Sequence, residues 1–413
     1  RRGVDDAMED QSAWRRTTRR VASGSYALVG ARVIDGTASD PVSDATVIVR
    51  EGLIAAAGPS ASTPVPNGMR QLDARGTTIV PGLWDMHAHA SQIEWGPAYL
   101  AAGVTSVRDM GGDTLLLTRL RDAQISGRTL SPRLVLAGLV DGDTSDAFGS
   151  VVAGSAAQGR AVVEQYARRG YRQIKLYSVL RPDVVAAIAR AAHEHQMTVT
   201  GHVPRAMTPE QAVDSGMDQI AHLPFRGSPS DTATQRAIRR LGAVATVIDP
   251  TLSWNELLSR SEDTEIASFE PMFERAPPPL AANYRSVQNP AGGGRGVASQ
   301  FAIVTAMRDA GIRIVAGTDG GIPGASLLRE LELLVQAGLS PREALTAATS
   351  EAARAVGMER DLGKIRPGYR ADLLVLDADP LANISNVRRS RWVVTHGIVY
   401  RTVDLWPLAG FIR

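Results

Sequence analysis

The sequence contains no cysteine, which removes disulfides, thiol catalysis and thiolate-held zinc together. Any metal must then sit on His, Asp, Glu or a less usual donor, and the redox state of the compartment stays open. Lysine is nearly absent, because only Lys175 and Lys364 are lysines among 45 basic residues. Arginine stands almost everywhere else, so a retained lysine is a candidate for chemistry that a permanently protonated guanidinium cannot perform. An excess of either charge is missing too: 43 acidic residues leave a net charge of +2, which speaks against a nucleic-acid binder or a polybasic membrane protein. No run of about 18 apolar residues occurs, so no membrane span is expected. With 44% hydrophobic residues in 413, the chain reads as a bacterial-type soluble protein large enough for two or three domains, or one barrel with an appendage. It begins at Arg1, which fits the cytoplasm or, after loss of a signal peptide, the periplasm or exterior.

Residues 1–24 are rich in Arg and Asp with little apolar periodicity and read as a mobile extension or appended tail. Short β-like runs follow at 27–34, 45–50 and 53–57, and similar runs return at 371–377, 391–395 and 398–401, bounded by Gly, Asp and Pro. Neither set alone has enough strands to bury a core, so both ends are expected to form one small β-sandwich, 25–79 plus 362–413. Between them, eight apolar runs (78–84, 105–108, 134–137, 173–176, 198–201, 219–221, 243–248 and 313–316) alternate with helical patterns such as 160–169, 183–195 and 299–310. The expected fold is therefore α/β, a (β/α)8 TIM barrel over 80–361 inserted in that sandwich. A doubly wound sheet is the runner-up, but no Gly-rich first turn is seen. The long connection 249–296 suggests a lid, a substrate-binding excursion or a disordered loop, and its Gly292–Gly294 run lacks the Lys-Ser/Thr ending of a phosphate loop. Ser340-Pro341-Arg342-Glu343 is a capping box that opens an Ala-rich helix to about Val356.

Five of the eight runs end in a residue able to bind a metal or to be modified to do so: His87 and His89, Lys175, His202, His222 and Asp319. In a barrel, side chains at the C-terminal ends of the strands meet at one mouth. His87 and His89 are two apart, so in extended backbone both face the same side and can reach one ion. His193 and His195 have the same spacing on a predicted helix, where residues two apart point about 200° away from each other. They read as a solvated helix end. A lone His at a strand end is usually a satisfied hydrogen-bonder, but four of only seven histidines at strand ends on one face is a different matter. A protonated Lys175 would repel cations beside these groups. Either it pairs with an acid, or its neutral amine takes up carbon dioxide as a carbamate that serves as a bridging carboxylate, and the company of four histidines favours the carbamate.

His87-Ala-His89 after Val80-Pro81-Gly82-Leu83-Trp84-Asp85-Met86, Ile174-Lys175-Leu176-Tyr177, Gly201-His202-Val203-Pro204, Ile220-Ala221-His222-Leu223 and Ala316-Gly317-Thr318-Asp319 resemble the ordered metal-ligand motifs of the amidohydrolase superfamily. The segment from Leu362 to Leu373 resembles that superfamily's return into the sandwich. The likeness spans about residues 26–405 and is nearest the binuclear subtype with a carbamylated lysine, in the imidazolonepropionase-like and prolidase-like (Xaa-Pro dipeptidase) branch. The resemblance implies two divalent ions, with zinc as the default and manganese, iron or cobalt acceptable. One would be held by His87, His89 and Asp319, the other by His202 and His222, with carbamylated Lys175 between them.

From such a site follows a bridging hydroxide that attacks an amide carbonyl, with Asp319 as general base and then acid. Tyr177, two residues beyond Lys175, could donate to the oxyanion, and Arg205 or Arg226 could bind a substrate carboxylate. The expected activity is hydrolysis of a small peptide-like amide with a free carboxylate: an Xaa-Pro dipeptide in a dipeptidase or carboxypeptidase-like reaction, an N-acyl amino acid, or an ochratoxin-like amide. Hydrolysis of a cyclic amide, lactone or phosphotriester is the alternative, and a non-catalytic binding barrel is remote because no ligand is lost. The expected partner is a small-molecule substrate, not nucleic acid, and a homo-oligomer is compatible with the sequence.

Overall fold

The computed structural model describes residues 2–412 except 91, 150, 226 and 289–295, with side chains described at 8–10 and from 12 onward. Five parallel strands, Leu83–Ala88, Val104–Asp109, Arg133–Val140, Gln173–Leu176 and Thr198–Gly201, pair in chain order into one sheet. Three more, Gln219–Ala221, Val247–Asp249 and Arg313–Ile314, form a second parallel sheet. Backbone hydrogen bonds from Asp218 N to Val199 O (3.0 Å) and from Met86 N to Ala316 O (2.9 Å) link the sheets at their two edges. These strands are buried almost end to end, as parallel strands covered on both faces must be, so they read as continuous apolar runs without alternation.

The covering helices follow from local signals. Pro182–Glu194 opens with Pro at its first turn and buries Val184, Val185, Ile188, Ala191 and Ala192, one apolar stripe at helical spacing. Thr208 caps Pro209–Asp214 through a complete capping box with Gln211. His193 lies exposed at its helix end, with Nε2 3.0 Å from Asp218 Oδ2, so the His193-Glu194-His195 spacing does not build a chelate.

Both chain ends meet in a nine-stranded sheet. Its order is Arg20–Ala22, Ile398–Arg401, Ser390–Thr395, Leu373–Leu376, Thr78–Pro81, Tyr26–Val33, Val42–Arg50 and Leu53–Pro59, with Arg70–Asp73 paired to Tyr26–Val33. Tyr26, Leu28, Val47 and Ile79 from the N-terminal part share one buried cluster with Leu373 and Val394 from the C-terminal part.

Several expectations are corrected. Residues 1–24, expected as a mobile extension or appended tail, carry a helix, Arg2–Thr17, and an edge strand, Arg20–Ala22. Trp14 packs on the main core, and Ser12 Oγ donates to Arg128 O at 3.0 Å. The run 78–84 is two strands, because the Gly82 amide donates to Asp372 O (2.9 Å) and a side chain at Gly82 would collide with Thr105. The first parallel strand therefore begins at Leu83 and contains His87. The seventh is Val247–Asp249, while Ala243 ends the preceding helix. The helix opened by Ser340 stops at Ala347 and a second runs Ser350–Ala355, because the carbonyls of Ala347 and Ala348 accept from Ala316 N and Trp84 N instead of continuing the helix. The connection after Asp249 carries helices Leu252–Ser259 and Pro278–Ser286; Gly292–Gly294 lies outside the described residues.

Candidate metal centre

His87, Lys175, His202, His222 and Asp319 stand at or just past the C-terminal ends of their strands, with His89 immediately after the first. The backbone is bent to present them. His222 and Asp319 have left-handed φ values of 64° and 58°, a conformation that non-glycine residues adopt at some energetic cost and that recurs at functional sites. Two residues before Asp319, a Cβ on Gly317 would lie 2.7 Å from His87 Cβ and 2.8 Å from its amide nitrogen. Only glycine lets these two strands approach so closely.

All six side chains converge. Asp319 Oδ1 lies 2.9 Å from His87 Nε2 and 3.2 Å from His89 Nε2, and its Oδ2 lies 3.7 Å from His222 Nε2. Lys175 Nζ is 3.3 Å from His87 Nε2, and His202 Nε2 is 3.1 Å from His222 Nε2. His87, His89 and Asp319 offer ligand atoms all within 4.8 Å of one another.

Every one of the four imidazoles has its other nitrogen occupied. Nδ1 of His87 faces Asp249 Oδ1 at 2.8 Å, that of His89 faces Gly111 O at 3.0 Å, that of His202 faces Ser178 Oγ at 3.2 Å, and that of His222 faces Thr251 Oγ1 at 2.8 Å. An Nδ1–H donated to oxygen leaves the Nε2 lone pair free, and here four such nitrogens point at one another and at a carboxylate. Lone pairs so aimed repel unless a cation lies among them. The donor set fits divalent ions bound by imidazole and carboxylate, with outer oxygen partners that fix each ring.

The electrostatics agree. Burial lowers His202, and lowers His222 to about 4, so both rings are neutral bases at neutral pH. Burial also lowers Lys175 to about 8, against the pull of Asp319 and Asp249. Burial would raise Asp319, but the adjoining His87, His89 and His222 rings hold it well below the usual carboxylate range. Tyr177 packs against His202 with ring centroids 4.2 Å apart and stacks on Phe148 at 4.7 Å. Burial and then Asp319 raise its phenol, so it stays a protonated donor. Arg205 is largely exposed at the rim, 3.7 Å from Asp146, and Arg226 lies outside the described residues.

Sequence reasoning passed over the partners beneath. Asp249 ends the seventh strand, and its second oxygen pairs with the guanidinium of Arg108; both are fully buried. Asp85 accepts from His87 N and Thr318 Oγ1, and Asp109 from Ala90 N and Gly111 N. The strand-end positions of Asp109 and Asp249 were the available signal, and Asp85, inside Leu83–Ala88, gave none; an isolated Asp in a charge-balanced chain gives no reason to pair it with a particular histidine.

Over 383 residues the chain is 27% identical to the imidazolonepropionase of Haloarcula marismortui, covering 87% of this chain and 89% of that one. It is 23% identical over 425 residues to the ochratoxinase of Aspergillus niger, covering 86% and 82%. A solved structure from Bifidobacterium longum, assigned as a prolidase, superposes with a TM-score of 0.75 at 26% identity, covering 94% of this chain and 98% of that one. Residues 78–398 match the model of the amidohydrolase family. With that match and a site of this chemistry, the chain belongs to the amidohydrolase family and is a metal-dependent amidohydrolase.

Proposed function

We propose that the protein hydrolyses the amide bond of a small peptide-like substrate bearing a free carboxylate, such as an Xaa-Pro dipeptide, an N-acyl amino acid or an ochratoxin-like amide. The observation that carries this reading is the gathering of four oriented imidazoles with Asp319 and Lys175, three of them facing Asp319 and the fourth, His202, facing His222. In this reading the two parallel sheets close as a (β/α)8 barrel over 80–361, supported by the hydrogen bonds at both sheet edges. The nine-stranded sheet curls as a sandwich built from 25–79 and 362–413 around the cluster that both ends share.

His87, His89 and Asp319 would hold one ion and His202 and His222 a second. Between them, the neutral Lys175 amine would form an N–C bond to carbon dioxide, lose a proton and offer the resulting carbamate as the bridge. Bound divalent ions, zinc by default, supply an acidic water and polarise the scissile carbonyl. Asp319 takes the proton from the attacking water and returns it to the leaving nitrogen, which departs as the amine. Tyr177 donates to the developing oxyanion, and Arg205 or Arg226 binds the substrate carboxylate. The likeness to an imidazolonepropionase supports a second reading, opening of a cyclic amide on the same site.

Metal analysis combined with a screen of Xaa-Pro dipeptides, N-acyl amino acids, cyclic amides, lactones and phosphotriesters, with and without chelator, tests both. Hydrolysis fully retained after complete metal removal overturns the mechanism. For the carbamate, Lys175→Ala is expected to abolish turnover and short carboxylic acids to restore part of it. A bare amine at Lys175 in density beside two occupied metal sites would refute the bridge.

A further inference from the structure

Two cavities flank the histidine cluster, and one carries more charged side chains than the other. One, of about 680 Å³, is reached past His89 and is lined mainly by Leu115, Leu139, Phe148, Val151 and Tyr166, with Asp113 and Arg169 as its charged members. The other, of about 620 Å³, touches His202 and His222 and sets four charged side chains, Arg205, Glu210, Asp231 and Arg236, among apolar ones such as Leu223 and Phe225. Both volumes fall in the range of about 300–1,000 Å³ usual for small-molecule sites.

Most of the side-chain surface of the wall beside His89 is apolar, and its hydroxyls are engaged. The Thr118 hydroxyl donates to Thr114 O of its own helix at 2.7 Å, and the Tyr166 hydroxyl donates to Leu139 O at 2.7 Å. Asp113 is engaged with Leu116 N at 2.7 Å as the cap of that helix. Both hydroxyls are therefore satisfied within the fold. Phe148 stacks on Tyr177, which itself packs on His202, so an aromatic ledge runs from this cavity to the centre of the site. Leu115 and Phe148 are 49% and 55% exposed, an apolar surface left open beside a polar cluster.

We propose that the cavity beside His89 is the subsite for a bulky apolar group of the substrate. The preferred substrates are then amides with a large apolar or aromatic residue on one side of the scissile bond and the carboxylate-bearing half on the charged side. This rests on the amide-hydrolase reading above and adds to it which substrates are favoured. Filling an apolar pocket discriminates by about 10–200-fold per well-packed group, which sets the scale of the effect.

The test uses the metal-loaded protein and two substrate series in which the varied group lies across the scissile bond from the carboxylate: Xaa-Pro with Xaa running from Gly through Leu to Phe, and N-acyl-glycines with matching acyl groups from acetyl to 3-phenylpropionyl. In each series that is turned over, the wild type is expected to favour the phenyl-bearing member over the smallest by about ten-fold or more in kcat/KM. Thr118→Phe fills the cavity, and its own hydroxyl bonds only to its helix, so little else is lost. It is expected to shrink the preference, through KM for the bulky substrates. Leu139→Ala enlarges the same space and is expected to shift preference from Phe towards naphthylalanine. Hydrolysis with no preference for bulk, or Thr118→Phe lowering Gly and Phe substrates alike, overturns the subsite and leaves the hydrolase reading intact. If no amide is hydrolysed, that reading fails and calorimetric titration with 4-phenylbutyrate against butyrate decides the subsite. Tighter binding of 4-phenylbutyrate that Thr118→Phe removes supports it, and equal binding of the two acids overturns it.

Discussion

Asp249 Oδ1 accepts from His87 Nδ1 at 2.8 Å although the two residues are 162 apart in sequence, and both are fully buried. The second oxygen of the same carboxylate pairs with the Arg108 guanidinium, which also reaches Met86 O and the side chain of Gln219. One carboxylate thus fixes the His87 ring from below and neutralises a buried cation. Asp249→Asn keeps the shape and an acceptor for His87, but it leaves Arg108 without its counter-charge. Removing one partner of such a buried pair costs about 3–5 kcal/mol, and loosening an outer partner of a ligand lowers metal affinity about 10–100-fold. Urea unfolding and chelator competition measure the two effects separately. Metal binding as tight as in the wild type would remove Asp249 from any role in orienting His87.

The same logic applies to His222, whose Nδ1 faces Thr251 Oγ1 at 2.8 Å. Both residues are left-handed, with φ of 64° and 48°, so the turn is bent to bring ring and hydroxyl together. Thr251→Ser keeps the hydroxyl and is expected to retain metal and turnover. Thr251→Val replaces it with a methyl and is expected to lose about ten-fold in metal affinity. Equal metal content in both variants after dialysis against a weak chelator would contradict this.

The histidines were legible in the sequence because their signal is local: a residue type at the end of an apolar run, repeated on run after run. The run at 173–176 reappears unchanged as the strand Gln173–Leu176 bearing Lys175. What was not legible depends on contacts between distant segments. The split of 78–84 at Gly82 depends on Thr105 and Asp372, and the helix break at Ala348 depends on amides from Trp84 and Ala316. The Arg108–Asp249 pair is of the same kind, since no spacing rule joins residues 141 apart. In residues 1–24 a charge-rich composition concealed a helix held by a few docking contacts, among them Trp14 on the core and Ser12 on Arg128. Tertiary context there overrides a weak local pattern.

Metal removal tests the cluster from another direction. In the proposed centre the folded chain gathers four imidazoles that the unfolded chain scatters, so a bound ion would add to stability by mass action. At one hundred times its Kd a single ion contributes about 2.7 kcal/mol. Dialysis against a chelator is therefore expected to lower Tm by several degrees, and added zinc to restore it in a concentration-dependent way. His202→Ala should blunt the shift. A Tm indifferent to chelator and to zinc would show that the cluster holds no ion.

Stability should also depend on pH through a group remote from the ligands. Glu330 is fully buried on the helix Ala325–Gln336, and its Oε2 accepts from Ser253 N at 2.7 Å. Its Oε1 has no partner among the described residues. Burial pushes this carboxyl up to about 8 from an ordinary value of 4.5, against the backbone donors of Ser253 and Leu252 that favour the charged form. Between 4.5 and about 8 the folded chain keeps a proton that the unfolded chain has released. Stability is therefore greatest below that window, falls as pH rises through it and levels off above. Glu330→Gln is neutral throughout, so its stability relative to wild type should improve from pH 5 to pH 8.5 by on the order of a few kcal/mol. Urea midpoints of the two proteins at both pH values measure the difference, and two parallel pH profiles would show that Glu330 titrates near its ordinary value.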